Sequence, residues 1–331
     1  MNLSRKHPNA GFRCPGHDYR SRCIYHIVLN KADGFPDFSE VNGIPGNRQW
    51  PPKADRTAIG QIIFEAISNI KSKFPHTSVL RRCIMPDHVH FVIFIHEATE
   101  IHLGTIIAEL KRECSSRFEA LGHEAAIEFF IPGYNDTFLT GKGQLKKMLD
   151  YVSDNPRRHL VRKSHPGWFR QFFICSPDGK NLYEAYGNWD LLADFQRVPV
   201  KVSRKYTQAV LLGWKKLWHV TILNDGVLVS PFINPNEKKV RDWAIENGGS
   251  LIYLTYKPFP EKFKPQGKMF DLCAEGRLLI VYIPPNEKEA EYIKEKGSPS
   301  YSNCQRMNSI AKQIAETEFK PIIKKGHSPQ R

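Results

Sequence analysis

The stretch Arg82-Cys-Ile-Met-Pro-Asp-His-Val-His-Phe-Val-Ile-Phe-Ile95 places two histidines one residue apart at the start of an apolar run. Because side chains along a β-strand alternate between its two faces, His88 and His90 are expected side by side on one face. Two neutral imidazoles on a rigid strand can grip a divalent metal ion. The alternative is a strand with two polar side chains on a half-exposed face.

A second pattern, closing at Pro156, combines a tyrosine and an asparagine on one helix face. Tyr151 and Asn155 are four residues apart and so lie one turn apart. We expect the helix to end there, because a proline disfavours helical geometry in the residue before it. A tyrosine hydroxyl and a carboxamide offer an oxygen nucleophile and a neutral oxygen ligand. The alternative is an ordinary amphipathic helix ended by Asn-Pro. The helix itself is predicted from apolar residues at helical spacing: Leu145, Met148, Leu149 and Val152.

The two patterns together resemble the single-tyrosine HUH transposases, and most closely their REP-associated tyrosine transposase branch. The signature is Met85-Pro-Asp-His-Val-His90, followed by Tyr151, three residues and Asn155-Pro-Arg-Arg158. Leu110-Lys-Arg and Pro132-Gly-Tyr-Asn-Asp136 are supporting matches between them. The resemblance spans about half of the chain. Asp87 stands where many relatives have asparagine, a departure that leaves the expected ligands untouched.

This resemblance implies a metal-dependent enzyme that cleaves and rejoins single-stranded DNA at hairpin-forming sequences. Tyr151 would attack a phosphodiester, giving a 5′-phosphotyrosine and a free 3′-OH, and Mg²⁺ or Mn²⁺ would be held by His88, His90 and Asn155. No general base stands out in the sequence. Two other functions stay open: a non-catalytic protein that binds DNA or RNA hairpins, and a metal-dependent phosphodiester hydrolase that uses water instead of the tyrosine.

The overall composition indicates a globular protein with a polyanionic partner. The chain has 331 residues, 41% of them hydrophobic, which is enough for two domains. It has no 18-residue apolar span and no apolar leader, and its seven cysteines form no CxxC, so we expect a reduced, cytoplasmic, nucleoid-associated protein without a membrane segment. The net charge of +14 suits phosphate-rich ligands. A monomer and a homodimer are both compatible with the sequence.

A zinc site is the competing use of the N-terminal histidines. Cys14-x-x-His17 and Cys23-x-x-His26 offer four possible ligands within a short segment. Cys23 and His26 fall in an apolar run that reads as a strand, which puts them on opposite faces. The pattern therefore does not favour a structural zinc.

The order of elements predicts an α+β catalytic domain. Amphipathic helices alternate with apolar strands in the order β-α-β-β-α-β, which is typical of the ferredoxin-like (split βαβ) arrangement. The family resemblance implies the same fold, with the histidine pair on a central strand and the tyrosine on a trailing helix. The expected segments are strands at 23–31, 79–85, 89–95 and 134–138 and helices at 57–74, 103–118 and 144–155.

Basic residues near the tyrosine helix are the predicted DNA contacts. Cations that meet phosphates, together with aromatic rings on which bases stack, are what single-strand binding uses. The alternative is a solvated basic face over a core of aromatic residues. A second basic and aromatic segment, at 197–224, is equally compatible with nucleic-acid binding and with this alternative. The predicted DNA-binding residues are Arg157, Arg158, Arg162, Lys163, Lys111 and Arg112.

The last third of the chain reads as a small α/β domain. Short apolar runs at 226–230, 250–254 and 278–283 alternate with helical segments, as in a Rossmann-like parallel sheet, and distantly resemble DNA-processing protein A. The loop Ser230 to Glu237 lies where ligands usually bind in such sheets, although a purely structural role is equally compatible. The expected organisation is an N-terminal extension (1–20), a transposase domain (21–170), a basic and aromatic connecting segment (171–219), an α/β domain (220–319) and a disordered basic tail (320–331).

Overall fold

A computed structural model describes residues 14, 16–122, 128–193, 196–202, 207–260 and 263–322. The chain divides into two compact units, Met1–Val161 and Arg162–Arg331. It combines an α+β unit with an α/β unit, which is the expected general class. None of the helices in the described ranges has the length and apolar character needed to cross a bilayer.

The first unit contains a four-stranded antiparallel sheet and a separate two-stranded hairpin. The sheet order is β4-β5-β1-β6, and β2 pairs with β3. Its elements are β1 (Cys23–Asn30), β2 (Ser39–Asn42), β3 (Lys53–Arg56), α1 (Ala58–Lys73), β4 (Thr77–Ile84), β5 (His88–Ile95), α2 (Leu103–Ala120), β6 (Asn135–Phe138) and α3 (Gln144–Ser164).

One face of this sheet forms the main hydrophobic core. Odd-numbered residues of β1 and β5, such as Ile27 and Phe91, pack against α1 and α2. Helix α1 begins where the Thr57 side chain accepts a hydrogen bond from the Gly60 N–H, which satisfies one of the donors left over at a helix start. Because alternate residues face opposite sides, burying the odd positions directs His26, His88 and His90 to the other face.

Helix α3 covers that second face through a smaller apolar cluster. Val92 of β5 and Leu139 pack with the buried Val152, and partly buried residues of α3 surround them. The face of the sheet set by the strand alternation and the apolar face of α3 therefore pack together, and Tyr151 lies in this contact.

The prediction that α3 ends at Pro156 is wrong: the helix continues to Ser164 with the proline inside it. Proline removes the N–H that would bond the Val152 carbonyl, which normally breaks or kinks a helix. Here the Asn155 side-chain amide donates to the Tyr151 carbonyl (2.9 Å) and, through a longer contact, to the Val152 carbonyl (3.5 Å). This amide supplies a replacement donor, and burial of Arg158 and Val161 holds the turns that follow.

The second unit is built on a seven-stranded mixed sheet in the order β13-β7-β8-β12-β11-β10-β9. Strands β9 to β12 are parallel, whereas β8, β7 and β13 are added antiparallel. Helix α8 packs on one face, and α4 and α6 pack on the other. The elements are β7 (Gln171–Cys175), β8 (Leu182–Gly187), β9 (Arg197–Pro199), α4 (Gln208–Leu223), β10 (Val227–Ser230), α5 (Pro235–Glu246), β11 (Ser250–Thr255), α6 (Lys268–Ala274), β12 (Leu278–Tyr282), α7 (Glu287–Lys296), α8 (Tyr301–Glu316) and β13 (Lys320–Ile322).

Three expectations about this second half need correction. The sheet is mixed and not purely parallel, because β7 and β8 join it beside β12. Residues 171–219 are not a connecting segment, since they contribute β7, β8, β9 and α4 to the sheet and its covering helices. The tail is ordered at its start, because Lys320–Ile322 pairs with β7. Residues 323–331, and positions 1–13 and 15 of the expected N-terminal extension, lie outside the described residues.

Candidate active site

Strand β5 places His88 and His90 on the face covered by α3, as the alternation predicts. His90 is opposite Val28 of β1 and Cys83 of β4, so it lies within the sheet, and it is buried. The His88 side chain, at the start of the strand, keeps 24% of its surface exposed. The Nε2 atoms of the two imidazoles are 3.0 Å apart. The pair therefore combines a buried imidazole with one that solvent and ligands can reach.

Asp87 orients the exposed imidazole. Its Oδ1 lies 2.6 Å from Nδ1 of His88, and this hydrogen bond holds the pKa of the Asp87 carboxyl down at about 2. A carboxylate at this position can only accept, so Nδ1 of His88 carries the proton and Nε2 carries the lone pair when the ring is neutral. Asp87 thus gives the site a charged group that orients His88.

A third imidazole, His26 of β1, belongs to the same site and was not assigned to it from the sequence. Its Nε2 lies 3.0 Å from Nδ1 of His90, and the two rings are stacked with centroids 5.1 Å apart. Burial, followed by the nearby His88, lowers the pKa of His26 to about 4. The alternation of apolar residues around His26 could have indicated the face of β1 on which it lies. The pairing of β1 with β5, however, is a long-range contact that no local pattern shows.

The four possible N-terminal zinc ligands are divided between different surroundings. His17 contacts the Tyr25 hydroxyl through Nε2 (2.9 Å), whereas His26 contacts His90. Tyr25 and His26 are neighbours on β1 and face opposite sides of the sheet. His26 therefore serves the histidine pair of β5.

Tyr151 lies beside the imidazoles with its ring edge-on to them. Ring centroids are 5.7 Å from Tyr151 to His90 and 6.2 Å to His26, at interplanar angles of 77° and 87°. The side chain is half-buried. The guanidinium of buried Arg158, two turns further along α3, lies 5.2 Å from the tyrosine ring centroid. The structure thus brings together the tyrosine and the histidine pair that the sequence separates by 60 residues.

The spacing of the histidine pair can be tested against metal geometry. Two ligands at right angles around an octahedral ion, each at about 2.1 Å, are about 3.0 Å apart, whereas two ligands of a tetrahedral zinc at that distance are about 3.4 Å apart. The Nε2 atoms of His88 and His90, 3.0 Å apart, are close enough to share either kind of ion, and the same distance is that of a hydrogen bond between them.

The predicted third ligand, Asn155, would contribute an oxygen. Within the described ranges, no group of three or more His, Cys, Asp and Glu side chains is arranged to hold a metal. Asn155 is buried on α3 one turn from Tyr151, and its nitrogen donates to helix carbonyls. Its oxygen is then the atom suited to a hard cation, with water or phosphate oxygens completing the shell.

The predicted DNA-binding cations on α3 differ in their availability. Arg157 makes a two-pronged ion pair with Asp154 at 2.6 and 2.8 Å, and Arg158 is buried beside Tyr151. In the second unit, Arg162 lies 5.6 Å from the Phe270 ring centroid, and Lys163 is exposed. Arg158 therefore lies beside Tyr151, whereas Lys163 is exposed to solvent.

The other two predicted cations lie on α2, which packs against the opposite face of the sheet. Lys111 donates to the carbonyls of Ile131 and Gly133 at 2.8 and 2.7 Å and so fastens the loop before β6. Arg112 forms a two-pronged pair with Glu109 on the same helix. The structure does not bring these two side chains to the histidine pair.

The second basic segment contains side chains with structural contacts. Arg197 donates to backbone carbonyls of Ala193, Ile314 and Thr317, and Trp218 is part of the hydrophobic core. Of the other residues in that pattern, Arg204, Lys205 and Tyr206 lie outside the described residues. In the first turn of α5, Glu237 accepts backbone N–H groups of Val202, Ile233 and Asn234 and thereby fixes the loop after β10, the expected ligand edge of the sheet.

Comparison with known proteins finds no matching family model and no matching curated protein. Among solved structures, the chain is similar to a REP-associated tyrosine transposase bound to a REP hairpin, with 15% identity and a TM-score of 0.34 over 45% of this chain and 74% of the other. It is also similar to AtUAH in complex with (S)-hydroxyglycine, with 10% identity and a TM-score of 0.18 over 40% and 32%. Likenesses this weak carry no argument about function, which has to be judged from the site itself.

Proposed function

We propose that the protein is a metal-dependent DNA strand transferase of the single-tyrosine HUH type, acting on single-stranded, hairpin-forming DNA. The observation that carries the proposal is the placement of Tyr151 against the His88–His90 pair, with ring centroids 5.7 Å apart between Tyr151 and His90. The Tyr151 ring and the imidazoles of His90 and His26 come from distant segments and lie together on one face of one sheet, and Asn155 follows Tyr151 by one helical turn. The residues match the motif of the HUH transposases that the sequence resembles.

The topology of the first unit supports the same proposal. Taking its sheet strands in chain order as first to fourth, their order across the sheet is second, third, first, fourth, and every neighbouring pair is antiparallel. Two helices cover one face, and the strands and helices alternate as β-α-β-β-α-β. We interpret this as the ferredoxin-like (split βαβ) arrangement that the family resemblance implies.

In the proposed reaction Tyr151 is the nucleophile. Its hydroxyl oxygen gives up its proton to water and forms a bond to phosphorus, the bond from phosphorus to the 3′-oxygen breaks, and the 3′-oxygen takes up a proton from water and leaves as a hydroxyl, so that no net proton is gained or lost. The resulting 5′-phosphotyrosine keeps a phosphodiester bond, so a 3′-hydroxyl can reverse the step and rejoin DNA. The buried guanidinium of Arg158 holds positive charge beside the tyrosine ring, where a phosphate has to approach.

His88, His90 and Asn155 are the residues that would hold Mg²⁺ or Mn²⁺. Such a cation, when bound, supplies a Lewis acid that polarises the phosphodiester and offsets its charge. Asp87 and His26 orient the two imidazoles from either side. In the described part of the chain no third His, Cys, Asp or Glu side chain forms a metal-holding group with the pair, so the carboxamide of Asn155 is the proposed third ligand.

The partner of this site is proposed to be DNA in the cytoplasm. The net charge of +14 supports a polyanionic substrate, and the exposed Lys163 lies in the last turn of the tyrosine helix. We propose that the second, α/β unit contributes to DNA handling. Its support is the distant likeness of its sequence to DNA-processing protein A.

The experiment is a search for a covalent adduct. The purified protein is incubated with a labelled single-stranded hairpin and Mg²⁺, and the products are separated in SDS. We expect a labelled protein band that disappears in Tyr151→Phe and in EDTA, and that remains in the control Tyr301→Phe, which alters an exposed tyrosine of α8. An adduct that persists in Tyr151→Phe would exclude this nucleophile, and Tyr134 and Tyr183 would be tested next. Cleavage without an adduct would favour the hydrolase, and binding without cleavage the non-catalytic binder.

A further inference from the structure

Three histidines and one carboxylate form a continuous hydrogen-bonded row across β1 and β5. The contacts run from Asp87 Oδ1 to His88 Nδ1 (2.6 Å), from His88 Nε2 to His90 Nε2 (3.0 Å) and from His90 Nδ1 to His26 Nε2 (3.0 Å). Each contact needs one donor and one acceptor, and a neutral imidazole has one of each. The proton positions of the three rings are therefore linked.

In the absence of a cation, the Asp87 carboxylate fixes which nitrogen of each imidazole in the row carries the proton. Asp87 accepts, so neutral His88 donates from Nδ1 and presents a lone pair at Nε2. His90 must then donate to it from its own Nε2, which leaves a lone pair at its Nδ1. His26 must in turn donate from Nε2 to that lone pair. In this state the Nε2 of His90 carries a proton and cannot coordinate a metal.

If His88 and His90 were to hold a cation through their Nε2 atoms, the proton positions on His90 and His26 would have to reverse. Both nitrogens must then present lone pairs, so His90 carries its proton on Nδ1 and needs an acceptor there. We propose that His26 is the positioning residue that supplies this acceptor: it moves its own proton to Nδ1, accepts the bond from His90, and so fixes His90 in the tautomer that binds the metal. No proton is released in the exchange, because each imidazole keeps one throughout. The inference rests on the metal pair of the proposed function.

The surroundings of His26 suit this role. It is buried on a central strand, flanked by β5 and β6, so its ring is held against His90. Partners that orient metal-ligating histidines in this way typically change metal affinity by about 10- to 100-fold when removed.

The test compares two variants of the full chain that differ in the atom offered to His90. In His26→Gln the side-chain oxygen or nitrogen can occupy the place of Nε2, so an acceptor is retained, whereas His26→Phe keeps a ring without one. His96→Gln is the matched control, since His96 also lies beside this sheet but contacts the Ser78 hydroxyl. Binding of Mn²⁺ is measured by the loss of the free-ion EPR signal, and the tautomers of His26 and His90 are read from ¹⁵N NMR with and without Mg²⁺.

We expect His26→Phe to weaken Mn²⁺ binding about 10- to 100-fold, with His26→Gln and His96→Gln close to wild type. In wild type, Mg²⁺ should move the proton of both His90 and His26 to Nδ1. Equal Mn²⁺ affinity in a folded His26→Phe, or His90 protonated at Nε2 with Mg²⁺ bound, would overturn the inference. If His26→Phe does not fold, a His26→Gln variant as weak as His90→Ala would overturn it. If wild type itself bound no Mn²⁺, the metal site of the proposed function would fail instead.

Discussion

At the scale of single residues, the site depends on side chains that each satisfy two requirements. Asn155 is the clearest case, because its nitrogen supports α3 beside Pro156 while its oxygen is the proposed ligand. Asp87 contacts Nδ1 of His88 and His26 contacts Nδ1 of His90, and each contact orients the imidazole whose Nε2 is the proposed metal ligand. A substitution that removes one function of such a residue and keeps the other can distinguish an effect on protein stability from an effect on metal binding or catalysis.

The two roles of Asn155 lead to different outcomes for two substitutions. Asn155→Asp keeps an oxygen for the cation but loses the donor to the Tyr151 carbonyl, so we expect unfolding to become easier by about 1–3 kcal/mol while Mn²⁺ binding is retained. Asn155→Ala loses both, although water can replace an oxygen ligand of a hard cation, so binding should weaken less than in His88→Ala or His90→Ala. Urea denaturation and Mn²⁺ titration measure the two effects. Unchanged stability in both variants would contradict the helix role.

The buried His26 should make stability depend on pH. Burial lowers its pKa to about 4, whereas its usual value is 6.5. Between these values the unfolded chain binds more protons than the folded one, so the free energy of unfolding rises with pH and its contribution is lost as pH falls. For this group alone we expect a difference of about 2 kcal/mol between pH 5 and pH 7.

Urea denaturation in EDTA at the two pH values measures this difference. His26→Gln does not titrate in that range, so its pH dependence should be smaller than that of wild type by about the same amount. His88 and His90 remain in both proteins and contribute equally to the comparison if their surroundings are unchanged. Equal pH dependence in wild type and His26→Gln would mean that His26 is not held neutral by burial.

At the scale of elements, the position of the nucleophile depends on how α3 packs on the sheet. The cluster under the helix is small, with Val92, Leu139 and Val152 as its buried members. Val152 is the neighbour of Tyr151 in the chain, so loss of its packing acts directly on the turn that carries the hydroxyl.

Val152→Ala tests this dependence. We expect it to lower the free energy of unfolding by about 1–3 kcal/mol through the cavity it leaves, and to reduce adduct formation because Tyr151 is held less firmly. Val229→Ala is the matched control, since Val229 is equally buried but lies in the second unit. The Val229→Ala variant should be destabilised by a similar amount, but its folded molecules should form the adduct as well as wild type does. Equal loss of adduct in both variants would show a general effect of stability and not of helix position.

Features that follow from local periodicity were predicted from the sequence, whereas features that follow from long-range pairing were not. The period of two along β5 and the spacing of α3 predicted the faces on which His88, His90 and Tyr151 lie, because those patterns depend only on neighbouring residues. Three features depended on contacts that sequence spacing does not show. Asn155 replaces the helix donor lost at Pro156, His26 meets His90 across two strands, and β7 and β8 join the sheet beside β12.

At the scale of the whole molecule, the division at Val161 decides which fragments can be stable. A chain ending at residue 164 keeps the complete first sheet and the whole of α3. A chain ending at residue 219 keeps β7, β8 and β9 but loses β10 and β12, with which β9 and β8 pair. Strand edges and apolar faces left without neighbours favour aggregation.

Truncation therefore has an expected result at each length. The fragment 1–164 should be soluble and form the covalent adduct, with lower DNA affinity because cations of the second unit are removed. The fragment 1–219 should aggregate in size-exclusion chromatography although it is longer. Adduct formation by a soluble 1–219 together with failure of 1–164 to fold would contradict this division of the chain.

The central claim is that Tyr151 becomes covalently linked to DNA, and peptide mapping tests it most directly. The adduct formed with a single-stranded hairpin and Mg²⁺ is digested with protease and nuclease, and the modified residue is located by mass spectrometry. The account predicts a 5′-linked nucleotide on the Tyr151 hydroxyl in the peptide from α3, and none when His90→Ala replaces wild type. A nucleotide linked to another residue, or cleaved DNA with no modified peptide, would contradict it.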